Sequence, residues 1–217
     1  MKLGVLISGR GSNLQALIDA CASNVLPAEI SVVISNRPNV AGLERAEKAG
    51  LKCLTIDHKF YKDRENFELA LNAALEDAGV ELVCLAGFMR VLTSTFTERW
   101  SGKAINIHPS LLPSFPGLNT HSRAIEAGCR FAGATVHFVS AEMDAGPIII
   151  QAVTPILPND NPYSLAARVL KAEHEIYVQA VRWIAEGKLF TENDKVIVEG
   201  VESGASYYCR LPIRQYK

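Results

Sequence analysis

The stretch Lys2-Leu3-Gly4-Val5-Leu6-Ile7-Ser8-Gly9-Arg10-Gly11-Ser12-Asn13-Leu14 decides the fold. An almost wholly apolar run, residues 3–7, stops at two glycines and passes into a helix-like segment, 13–23. A strand apolar at nearly every position is buried on both faces, the condition of a parallel sheet covered by helices. Strand, glycine turn and helix are therefore the first unit of an α/β fold.

Working outward, the same unit recurs. Further strands are expected at 29–34, 52–56, 82–86 and 103–107, with helices at 41–49, 64–78 and 93–99 between them. Gly50 and Gly79 follow two of these helices and supply the left-handed residue that ends a helix. Beyond residue 130 the pattern changes. Strands 134–139 and 148–156 flank a short connection, Ser140-Ala141-Glu142-Met143-Asp144-Ala145-Gly146-Pro147, which reads as a ribbon attached to the sheet. Asp160-Asn161-Pro162 then opens a long helix, a capping residue followed by proline. Its apolar face is Leu165, Val169, Ala172, Ile176, Ala180 and Ile184, and Gly187 ends it. The expectation is one Rossmann-like α/β domain, mostly parallel, over 1–189. A tail, 190–217, would fold segments 196–201 and 207–211 into a terminal hairpin.

Composition excludes several classes. Hydrophobic residues make up 48% of the 217, enough for a substantial core. Lys and Arg number 22 against 23 acidic residues, so no basic bias marks a nucleic-acid partner. No apolar run approaches the ~20 residues that span a bilayer. The first apolar run is too short for a secretory leader. Five scattered cysteines without a CxxC pair fit a reducing compartment, and the expected location is the cytoplasm. His108, His121 and His137 match no metal-ligand spacing, and no metal is expected.

Three segments could carry chemistry. The glycine turn at 8–13 exposes N–H groups at a helix start, which suits an anion. It equally suits a tight turn capped by Asn13. It lacks the third glycine of a dinucleotide fingerprint, Leu14 standing there, and the Gly-Lys-Ser/Thr of a Walker loop. Asn106 and His108 lie two apart on a strand, so they share a face at the strand's carboxyl end, where open α/β sheets bind ligands. An amide and an imidazole there can stabilise an oxyanion and move a proton, or simply satisfy nearby backbone. Asp144, on the tight connection, could stabilise positive charge on His108 or merely form the turn.

Together, these segments resemble the glycinamide ribonucleotide formyltransferase family, over residues 1 to about 189. The resemblance is carried by Gly4–Leu14, Ile34-Ser35-Asn36-Arg37, Leu85-Ala86-Gly87-Phe88-Met89-Arg90-Val91-Leu92, Asn106-Ile107-His108-Pro109-Ser110-Leu111-Leu112-Pro113 and Asp144-Ala145-Gly146-Pro147-Ile148-Ile149. It implies formyl transfer from 10-formyltetrahydrofolate to the ribonucleotide amine in purine synthesis, without a metal. It implies Asn106, His108 and Asp144 as catalytic residues. It implies Gly11, Ser12, Asn13, Lys171 and Glu173 at the ribonucleotide. It implies Arg64, Met89, Arg90, Val91, Leu92, Asn106, Ser140, Ala141, Glu142, Met143 and Asp144 at the folate, with a mobile loop, 117–121, beside it. Partners are then small molecules, not nucleic acid or membrane. Methionyl-tRNA formyltransferase and formyltetrahydrofolate hydrolase share the core. The first is expected to add a carboxyl-terminal domain, where only about 30 residues follow the long helix and charge is balanced. The second is expected to add an amino-terminal one, where the sequence starts at the first core strand.

Overall fold

Alternation along β1 (Lys2–Ile7) sorts its side chains between two cores. Leu3, Val5 and Ile7 join one hydrophobic cluster, and Leu6 joins the other. Gly4 faces α3 (Arg64–Asp77) so closely that a Cβ would lie 2.6 Å from Leu75. The computed structural model describes residues 1–193 and 195–200, and the backbone of 207–209.

The remaining strands are β2 (Glu29–Ser35), β3 (Cys53–Thr55), β4 (Leu82–Leu85), β5 (Ala104–His108), β6 (Phe131–Phe138), β7 (Ile148–Pro155), β8 (Leu189–Glu192), β9 (Lys195–Val198) and β10 (Tyr207–Cys209). Eight form one sheet in the order β10-β7-β6-β5-β4-β1-β2-β3. Only β6 runs against its neighbours, so the expected mostly parallel α/β sheet is the one found. One face is covered by α1 (Ser12–Ala22), α2 (Ala41–Lys48), α5 (Thr120–Glu126) and α6 (Pro162–Ala185), the other by α3 and α4 (Ser94–Arg99).

The long helix α6 starts where its signals placed it. Asn161 accepts from the N–H groups of Tyr163 and Ser164 at 2.9 and 3.1 Å, with Pro162 in the first turn. Two expectations differ from the structure. Helix α5 begins at Thr120, inside the segment read as loop. It announces itself poorly: Asn119 precedes it in a left-handed conformation with no side-chain cap. The expected hairpin between 196–201 and 207–211 is also corrected. Strand β9 folds back on β8, with Leu189 opposite Val198, and β10 lies parallel on β7. Asn193, at φ 50, turns the chain just after β8, in the short hairpin that β8 and β9 form. Residues 201–206 and 210–217 of that expectation lie outside the described residues.

Candidate active site

Chain order reverses between β1 and β4, because β2 and β3 fill one side before the chain returns to the other. At such a switch point the loops after the two strands part and leave a crevice. Ser8, directly after β1, spans it. Its hydroxyl accepts from Met89 N at 2.7 Å and donates to Asn36 Oδ1 at 2.5 Å. Beside this crevice lies a cavity of about 850 Å³. Its walls include Phe88–Leu92, Asn106, His108, the 117–121 segment, His137 and Ser140–Asp144.

Strand β5 sends Ile105 and Ile107 into one core and turns Asn106 and His108 toward the cavity. Antiparallel pairing then sets His137 of β6 directly opposite Asn106. Asn106 Nδ2 lies 3.2 Å from His137 Nε2, while His137 Nδ1 lies 2.9 Å from the Phe138 carbonyl. A carbonyl accepts only from N–H, so Nδ1 carries the proton and Nε2 accepts from the amide. Burial lowers the His137 pKa and keeps the ring in this neutral form. The Asn106 amide is thereby oriented, with its second N–H available to a ligand.

Asp144 completes the group from the β6–β7 connection, in a left-handed backbone conformation with φ 55. Its Oδ2 lies 3.4 Å from His108 Nδ1 and accepts from Gly117 N at 2.8 Å; its Oδ1 lies 3.8 Å from His137 Nε2. His108 Nε2 in turn lies 3.0 Å from the Phe115 carbonyl. Oxygen atoms thus face both nitrogens of His108. The arrangement offers an amide donor, an imidazole and a carboxylate around one point. That combination can stabilise developing negative charge and pass a proton.

The glycine turn lies across the switch point. Gly11, at φ 69, precedes α1 and has no side chain to cap it, which corrects the alternative of an Asn13 cap. Asn13 instead donates through Nδ2 to Glu173 Oε2 at 2.7 Å, joining α1 to α6. Burial pushes the Glu173 carboxyl up, against the opposing effects of the Asn13 bond and Arg10. The first N–H groups of α1 have no intrahelical acceptor, which is the feature of a helix start that suits an anion.

The candidate residues thus fall into two groups. Asn106, His108, Asp144, Met89, Arg90, Val91, Leu92, Ser140, Ala141, Glu142 and Met143 line the one cavity. Gly11, Ser12, Asn13 and Glu173 gather at the start of α1, outside its lining. Lys171 is exposed on α6, and Arg64 is exposed at the start of α3, neither lining the cavity. Sequence reasoning weighed His137 only as a metal ligand. Its partnership with Asn106 depends on strand register, for which no local signal exists. Arg37, in a stretch already noted, lines the cavity as well.

A mostly parallel sheet with an amide, imidazole and carboxylate beside its switch point defines a class. The family model for formyl transferases matches residues 1–181, and the chain belongs to that family. Within it, the chain is 44% identical to the phosphoribosylglycinamide formyltransferase of Haemophilus influenzae, over 92% of this chain and 94% of that protein. It is 48% identical to the human trifunctional purine biosynthetic protein adenosine-3, over 90% of this chain. The match spans 19% of that much longer protein. Among solved structures, glycinamide ribonucleotide transformylase 1 from Symbiobacterium toebii superimposes with a TM-score of 0.90 at 46% identity, covering 91% of this chain and 93% of that one.

Proposed function

We propose that the chain transfers the formyl group of 10-formyltetrahydrofolate to the amine of N1-(5-phospho-D-ribosyl)glycinamide. The products are the N-formyl ribonucleotide and tetrahydrofolate, a step of purine synthesis. One observation carries this reading: Asn106, His108, His137 and Asp144 surround one point of a cavity that adjoins an anion-suited helix start.

Chemistry and geometry fit together in a simple order. The phosphate sits on the N–H groups of Gly11, Ser12 and Asn13. Glu173, fixed by Asn13, offers its carboxylate to sugar hydroxyls. The folate ring system lies against Met89, Val91 and Leu92 and the Ser140–Asp144 connection. The neutral amine attacks the formyl carbon, its carbon–nitrogen bond forms, and the carbonyl oxygen gains negative charge. The free N–H of Asn106 donates to that oxygen, and His108 supplies a second donor once its Nε2 leaves the Phe115 carbonyl. Asp144 holds His108 and relays the amine's proton through a water to the folate nitrogen, whose bond to the formyl carbon breaks as tetrahydrofolate leaves. No covalent enzyme intermediate is needed.

The test is direct. Purified chain, 10-formyltetrahydrofolate and the ribonucleotide should release tetrahydrofolate in equal amount to N-formyl product. Hydrolysis of the formyl donor without ribonucleotide turnover would reject the proposal.

A further inference from the structure

Three consecutive carbonyls of the glycine turn are accounted for, each by a donor outside the turn. Gly9 O accepts from Gly42 N at 3.0 Å, Arg10 O from Arg45 Nε at 2.9 Å, and Gly11 O from Gln15 N at 2.9 Å. Two of the three donors belong to α2, an element the sequence reading gave no role. Helix and turn meet back to back through glycines. A Cβ on Gly11 would lie 2.7 Å from Gly42 Cα, and one on Gly42 would lie 2.9 Å from Gly9 O and 2.6 Å from Ile7 Cδ1. Arg45 Nη1 also reaches Gln15 Oε1 at 3.2 Å, tying α2 to the first turn of α1.

A peptide unit that offers its N–H to an anion must turn its C=O elsewhere, since an inward carbonyl would set a partial negative charge beside the anion. We propose that α2 is the brace of the anion loop and that Arg45 is its positioning residue, holding the Arg10 carbonyl outward so the loop accepts a phosphate monoester. The proposal rests on the ribonucleotide reading above and assigns the phosphate subsite a determinant outside the loop.

Steady-state kinetics with both substrates test it. Arg45→Ala should raise the KM for the ribonucleotide about fivefold to tenfold, the loss of one solvent-exposed hydrogen bond. The KM for 10-formyltetrahydrofolate and kcat at saturation should change less than about twofold, the difference a mutant off the reaction path shows. Arg45→Lys keeps the charge but has a methylene where arginine carries Nε. It should not restore the ribonucleotide KM. Gly42→Ala, which disturbs the brace without altering charge, should give the same selective rise. Full rescue by Arg45→Lys would mean that charge alone acts and would overturn the proposal. So would normal ribonucleotide KM in Arg45→Ala, a surface variant expected to fold, or an equal rise in both KM values. A wild-type chain unable to formylate the ribonucleotide would reject the functional reading itself. A formylating chain indifferent to Arg45 rejects only the brace.

Discussion

At the scale of single residues, the site depends on which hydrogen each polar group points where. Asn106→Ala removes the expected oxyanion donor and should lower kcat about 100-fold or more, with little change in ribonucleotide affinity. Stopped assays with a folding check by circular dichroism decide it; near-normal turnover would remove Asn106 from the chemistry. His137→Leu takes away the acceptor that orients Asn106. The expected cost is up to about tenfold in kcat, one hydrogen bond's worth, and His137→Gln, whose amide oxygen can accept instead, should recover much of it. Equal loss in both would mean that His137 serves packing alone. The sequence made Asn106 and His108 legible because strand alternation is local. His137 was not legible in that role, because register between β5 and β6 is set by long-range pairing.

At the scale of elements, α6 does two jobs: it covers one core and delivers Glu173 to Asn13. Its start is specified by Asn161, and Asn161→Ala should cost about 1 kcal/mol. For a chain of this length that is a fall of about 2–4 °C in Tm, measurable by thermal melting. No fall would mean that the cap adds nothing to folding. Element boundaries were readable in the sequence wherever such chemistry marks them, as at Asn161, Gly50 and Gly79. They were not readable at α5, whose start has no side-chain cap, nor in the tail, where pairing partners compete. The glycine turn proposed to bind the phosphate was half legible. Its glycines stand out, but α2, which closes around them, lies some thirty residues on and has no motif of its own.

At the scale of the whole molecule, several titrations add to one pH response. Burial is the largest cause lowering the pKa values of His121, His137 and His174 from 6.5. Each therefore binds its proton more readily when unfolded. Their stability is present above pH 6.5 and is lost as pH falls from 6.5 through their lowered values. Glu173, raised from 4.5 by burial, acts oppositely: the folded state keeps that proton longer, so its contribution declines as pH rises above 4.5. Urea melts at pH 7.5 and 5.5 should show lower stability at the acid value, with a smaller loss in His174→Gln. An unchanged difference in that variant would remove His174 from the balance. The reversed strand β6 has another consequence, felt during synthesis. A growing polypeptide can assemble β1 to β5 while β6 is still inside the ribosome. That half-sheet ends on β5, whose edge N–H and C=O groups then lack the partner that β6 supplies. The strand that sets His137 beside Asn106 is also the one that covers this edge, so one pairing both satisfies β5 and orients the amide.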